Sequence, residues 1–227
     1  TVIRSSTGCM LIAATVSLVA ALTVDATEDK FECGLAAAIC LVAIWHYNKL
    51  LSIRESGSGQ AVEMSMDAVR LSDWLVTLPF MVITIHTLLG GHYRFFTPPT
   101  AALILAAVVT MGGFVRLGTD ELAPPSSRSA SCKDSWIRVV GLAMFLGAFA
   151  LLAIVLANAF IGLPSDPQGG WTHAFAWPWI CYGLVSAIGI ATRNATTEHS
   201  EALSVFKDAA FASLDVWCKA GLSLFVA

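Results

Sequence analysis

Charge is what this sequence has least of. Asp, Glu, Lys and Arg make up 13% of its 227 residues, against roughly 25% in soluble domains. The 13 Lys and Arg residues are outnumbered by 16 Asp and Glu, for a formal net charge of −3. They are scattered, so no basic patch offers itself to nucleic acid and no such partner is expected. The six cysteines, Cys9, Cys33, Cys40, Cys132, Cys181 and Cys218, contain no CxxC spacing. Most of them lie in apolar runs where a small hydrophobe suffices, so neither a metal site nor a disulfide framework is expected. Long polar stretches are missing as well. The links at 25–30, 55–60, 124–128 and 164–170 are too short to be domains. No internal repeat stands out, and no signal peptide can be separated from the first apolar segment.

What the chain has in abundance is apolar surface. Hydrophobic residues make up 56% of it, and its mean hydropathy is +0.73. Stretches able to cross ~30 Å of hydrocarbon recur seven times, at 8–24, 33–53, 69–90, 99–117, 137–163, 174–192 and 209–227. Every backbone polar group must be satisfied inside the bilayer, and these lengths suit helices better than barrel strands. The expected fold is therefore an all-α membrane protein, a single seven-transmembrane-helix bundle over residues 1–227. It is integral and multi-pass, in the plasma membrane or another cellular membrane. The start at Thr1 without Met and the end at Ala227 inside an apolar run are what a trimmed or processed chain would show.

Against this background the few intramembrane charges stand out. The last span carries Asp215 and Lys219 four residues apart, on one helix face, where either charge alone would cost ~2.5 to 3.5 kcal/mol at the bilayer centre. A lysine in an apolar pocket can condense with an aldehyde, and the protonated product needs a carboxylate nearby. The third span reads Arg70-Leu-Ser-Asp73-Trp74-Leu-Val-Thr77-Leu-Pro79. Arg70, Asp73 and Thr77 share one face there, and such charges pair with each other or with another buried charge such as Lys219. The second span adds Trp45-His46-Tyr47 at mid-membrane. A plainer account of each exists: Lys219 can snorkel to an interface, Arg70 and Asp73 can form a structural pair, and His46 can be a satisfied core histidine.

The motif Arg70-Leu-Ser-Asp73-Trp74-Leu-Val-Thr77-Leu-Pro79, followed in order by Asp215-x-x-x-Lys219, resembles the microbial (type 1) retinal rhodopsins across essentially their whole seven-helix domain. Trp45-His46-Tyr47 is similar to the proteorhodopsin and xanthorhodopsin branch. The resemblance implies all-trans retinal bound covalently to Lys219 as a Schiff base. Asp73 would be the primary counterion and proton acceptor, Asp215 the second counterion, Arg70 would lie beneath them, and His46 would hydrogen-bond Asp73. Thr77 and Tyr47 join that polar group. Trp74, Met81, Trp177 and Pro178 would line the chromophore, with Met81 tuning its colour. The protein would be no enzyme. It would be a light-driven outward proton transporter, with the bilayer, protons and further copies of itself as partners. The alternative is a photosensory or regulatory domain, fused to or associated with a membrane effector such as a bestrophin-type channel.

Several positions depart from the family pattern. Eleven residues after Asp73, about three turns or ~16 Å along a helix, pumps with a carboxylic donor carry an acid, and here stands Thr84. A hydroxyl does not titrate near neutral pH, so reprotonation would come through water, through His86, or slowly. Relative to Pro178, the positions that usually hold tryptophan and tyrosine are Ala174 and Trp177. Lys207 stands twelve before Lys219, leaving the family's release carboxylate without a clear match. The family orientation puts the N-terminus outside, whereas the distribution of link cations argues the reverse by the positive-inside rule. The acceptor tripeptide Asn194-Ala-Thr196 favours the family orientation.

Overall fold

A computed structural model describes residues 2–57, 60–88, 143, 147, 150, 178, 181–186, 188 and 197–227. The expected spans at 99–117 and 137–163 lie outside the described residues except for residues 143, 147 and 150, and the span at 174–192 is described in part. Helix α1 runs over Val2–Thr23, α2 over Thr27–Glu55 and α3 over Gln60–Leu88. Residues 181–186 are helical. Helix α4 covers Thr197–Asp215 and passes through a π-helical turn, Val216–Gly221, into α5, Leu222–Val226. Asp215 and Leu222 keep right-handed helical backbone angles at the two junctions, so these pieces form one rod, called the last helix below.

Each helix overruns its apolar stretch. The last helix begins at Thr197 and α3 at Gln60, well before the expected starts at 209 and 69. Hydropathy marks where lipid begins, while the backbone stays hydrogen-bonded into the polar interface. Four described helices are long and apolar enough to cross a membrane.

The α1–α2 contact follows from side-chain size. On α1 the buried positions are Ile3, Ser6, Met10, Ala13, Ala14 and Ser17, and on α2 they include Cys33, Ala36, Cys40, Ala43, Tyr47 and Leu50. Both sets recur at three- and four-residue steps, the period of one helix face. Most are small, which lets two backbones approach closely where lipid supplies no hydrophobic drive. The opposite face of α1 presents Leu11, Ile12, Val19 and Leu22 outward, with Leu22 83% exposed, as a lipid-facing stripe should.

Helix α3 contains Pro79, whose missing N–H removes the rung to the Leu75 carbonyl. Membrane helices tolerate this because neighbours restore the lost packing. A larger apolar cluster centred on Ile39, Leu78, Met81, Val82, Ile85, Tyr182, Phe211, Cys218 and Leu222 joins α2, α3, the 181–186 segment and the last helix.

Met10 is fully buried against Cys40, Ala43 and Ala220. Met10→Ala is expected to cost about 2 kcal/mol or more of stability through the cavity it leaves. Leu22→Ala on the outward face should change little. Unfolding of the two variants in the same detergent checks this.

Candidate functional site

Lys219 and its two carboxylates occupy the centre of the four described spans. Lys219 is 1% exposed, Asp73 2% and Asp215 4%. The ammonium Nζ donates to Asp73 Oδ2 and lies 3.0 Å from Asp215 Oδ1. Asp215 reaches it from the preceding turn of the same rod, while Asp73 reaches it from α3. The π-helical turn Val216–Gly221 encloses Lys219. Such turns widen a helix locally and recur where function needs a side chain aimed off the regular face.

The two carboxylates are bound unequally. Asp215 accepts from three donors: Lys219, the Tyr47 hydroxyl at 2.8 Å and the Tyr182 hydroxyl at 2.5 Å. Both tyrosines are buried, so each phenol needs a partner there and Asp215 supplies it. Asp73 uses Oδ2 for Lys219, whereas its buried Oδ1 accepts no hydrogen bond among the described residues. Both Asp215 oxygens are thus engaged, Oδ1 by Tyr182 and Lys219 and Oδ2 by Tyr47. Asp73 Oδ1 can take a proton without losing a bond.

His46 stands beside that open oxygen but does not bond to it. Its Nδ1 is 3.5 Å from Asp73 Oδ1 and 2.8 Å from the Val42 carbonyl of its own helix, where the Nδ1–H must point because a carbonyl only accepts. Its Nε2 lies 3.1 Å from Ser72 Oγ. The expected hydrogen bond from His46 to Asp73 is thus replaced by a close electrostatic approach. Thr77 Oγ1 donates to the Asp73 main-chain carbonyl at 2.9 Å, not to the carboxylate.

Arg70 also differs from expectation. Nη1 donates to Asp67 at 2.9 Å and Nη2 to Asp208, not to Asp73. Its guanidinium also lies 4.9 Å from the centre of the Phe211 ring, close enough for cation–π attraction. Asp208 Oδ2 is met by Arg54 at 3.1 Å, and Asp67 by Lys207 at 3.2 Å. A charged cluster therefore ties α2, α3 and the last helix together at one end. Asp208, one position after Lys207, is the carboxylate of the last helix that stands against Arg70.

Apolar and aromatic side chains flank the charged centre. The Trp74 ring packs edge-on against Tyr182, with centroids 4.9 Å apart, and against Phe211 at 5.9 Å. Met81 is buried in the same cluster. Pro178 is half-buried in helical backbone, and Trp177 lies outside the described residues. Thr84 is fully buried and donates to the Phe80 carbonyl at 2.9 Å. The side chain of His86 is outside the described set. Tyr182 was missed from the sequence because attention rested on Pro178 and Trp177. The available signal was a phenol, one of only three tyrosines in the chain, inside an apolar span.

The site is thus a buried amine held between two carboxylates and flanked by aromatic side chains inside a helical membrane protein. The chain belongs to the bacteriorhodopsin-like family, whose model, described as bacteriorhodopsin-like protein, matches residues 1–227. Its structural relatives share the fold at low identity. The rhodopsin of Exiguobacterium sibiricum is 19% identical with a TM-score of 0.66, covering 99% of this chain and 93% of its own. Xanthorhodopsin, described as a light-driven ion pump with dual chromophore, is 16% identical with a TM-score of 0.66, over 99% and 89%. Halorhodopsin, a light-driven chloride pump, is 16% identical with a TM-score of 0.64, over 99% and 91%. No curated protein sequence matches. Seven membrane helices and an integral, multi-pass location follow from the family.

Members of this family bind retinal covalently through a lysine, and the residues present fit that group. Lys219 offers the amine, Asp73 and Asp215 the counter-charge, and Trp74, Leu78, Met81, Tyr182 and Phe211 an apolar wall.

Asp208→Asn leaves Arg70 and Arg54 short of a buried carboxylate and is expected to cost about 3 kcal/mol. Arg4→Ala breaks the exposed pair with Glu55 and should change stability by less than about 1 kcal/mol. Denaturant titration of both variants tests the contrast.

Proposed function

We propose that the protein is a light-driven outward proton transporter in which Asp73 accepts the proton held at Lys219 Nζ. The observation that carries this reading is the unequal binding of the two carboxylates. Bound retinal supplies light absorption and a change of shape at its linkage to the lysine. The protein's own groups decide where a proton can go.

Asp215 is held in its ionised form by Tyr47, Tyr182 and the lysine, and serves as fixed counter-charge. Asp73 bonds the same cation through one oxygen and keeps the other open. When the Lys219–Asp73 contact is disturbed, a proton passing to Asp73 neutralises a buried pair at little structural cost. His46, 3.5 Å away, adjusts the field at that oxygen. Trp74 and Met81 would line the chromophore, and Arg70, clamped by Asp67 and Asp208, stands one turn away on the exit side.

A second reading, a photosensory or regulatory protein, is favoured by Thr84. Its hydroxyl is committed to the Phe80 carbonyl, and the neighbouring Val82, Ile85 and Leu222 are apolar. A proton lost from Lys219 would then return slowly, which suits signalling.

Illuminating retinal-loaded protein in vesicles separates the two. Transport predicts a sustained pH change abolished by an uncoupler, while a slow cycle with no net flux favours the sensory reading. Lys219→Ala is expected to remove all visible absorbance, and a pigment that persists would contradict the assignment.

A further inference from the structure

Refilling Lys219 is the step for which Thr84 provides no acid. A different polar pair stands nearer in the chain. Ser223 follows Lys219 by one helical turn on the same face, about 6 Å along the axis. Ser223, Cys40 on α2 and Ser17 on α1 are all fully buried. Cys40 Sγ lies 3.1 Å from Ser223 Oγ, Ser223 Oγ donates to the Ala36 carbonyl at 2.9 Å, and Ser17 Oγ donates to the Ser223 carbonyl at 3.0 Å. A serine has one hydroxyl hydrogen, and Ala36 takes it, so the thiol is the donor to Ser223 Oγ.

Two further observations give this pair a direction. Cys40 shares a buried cluster with Ala220, the residue after Lys219. Cys33, two turns earlier on the same face of α2, lies 3.9 Å from the Val226 carbonyl, with Asp29 one turn before it and Glu32 next to it in the chain. The seam between α2 and the last helix thus leads from acidic side chains at the start of α2, past Cys33, to the Cys40–Ser223 pair and then to Lys219. Beside Thr84 the described residues include apolar Val82 and Ile85 and Thr87, whose hydroxyl donates to the Thr84 carbonyl at 2.9 Å, so no acid stands there among them.

We propose that Cys40 and Ser223 form a proton relay that refills Lys219 Nζ along this seam, in place of a carboxylic acid at Thr84. The relay rests on the proton-transport reading above. In the step, the Ser223 hydroxyl turns from the Ala36 carbonyl and gives its proton to a water on the Lys219 side, which passes one of its own protons to Nζ. Ser223 Oγ takes the Cys40 S–H proton in the same movement. The thiol regains a proton from hydronium entering from the aqueous side near Asp29 and Glu32. One proton moves, neither group stays charged and nothing is oxidised.

The test uses the full chain in membranes, with variants compared at equal visible absorbance. Cys40→Ala and Ser223→Ala should slow recovery of the dark absorbance after a flash by about 100-fold, the low end for a positioned proton-transfer group. Cys40→Ser keeps a donor and should recover most of the rate, and Cys9→Ala, on the exposed side of α1, should match the parent. A readout that needs neither light nor activity is the S–H stretching band of Cys40, expected at a lowered, hydrogen-bonded frequency that rises in Ser223→Ala. Parental recovery in both Cys40→Ala and Ser223→Ala, or a free-thiol band for Cys40 in the parent, overturns the relay alone. A parent that moves no proton on illumination overturns the transport reading and the relay with it.

Discussion

A cation buried among four membrane helices is the constraint on which the rest of this structure depends. An unpaired charge at the bilayer centre costs ~2.5 to 3.5 kcal/mol on insertion scales, and breaking a buried pair costs about 3 to 5 kcal/mol. Lys219 therefore dictates its surroundings. It draws Asp73 from α3 and Asp215 from its own helix. Asp215, with lone pairs to fill, draws Tyr47 from α2 and Tyr182 from the 181–186 segment. α2, α3 and the 181–186 segment are each tied to the last helix at this centre by one buried polar side chain.

The bundle is asymmetric about that centre. At one end Arg70, Asp67, Asp208, Arg54 and Lys207 form a lattice of ion pairs. At the other the helices meet through apolar side chains, interrupted by the Cys40, Ser223 and Ser17 hydrogen bonds. A proton leaving Asp73 toward the first end meets charge, and one arriving from the second must cross a mostly dry layer. Under the proposed transport reading, this difference would give proton movement a direction and make refilling the slow step. Among the structural relatives are a chloride pump and an ion pump with two chromophores, so the fold alone leaves the cargo open. The pattern of bonds at Asp73 and Asp215 is what argues for protons.

Much of this was legible in the sequence, and what was not has a common physical cause. The all-helical membrane fold followed from apolar runs, and the Asp215–Lys219 pair from its four-residue spacing. Asp73, on the motif face of α3, also falls at the centre. These are properties of single helices. Contacts between helices were read less well. Arg70 was expected to pair with Asp73 and instead bonds Asp67 and Asp208, because a long guanidinium can turn either way from one Cα. Tyr182 and Ser223 owe their importance to partners 33 and 187 residues away, a separation no helical period reports. The helix ends ran past the apolar stretches for the same reason: hydropathy describes the solvent, while backbone hydrogen bonding continues beyond it.

The central claim is that Asp73, with its open oxygen, takes the proton from Lys219 while Asp215 stays ionised. Light-induced infrared difference spectroscopy on retinal-loaded protein tests it most directly. The account predicts a carboxylic-acid C=O band that rises after the flash, disappears in Asp73→Asn and persists in Asp215→Asn. A band that survives in Asp73→Asn and vanishes in Asp215→Asn, or no carboxylic-acid band at all, would contradict it.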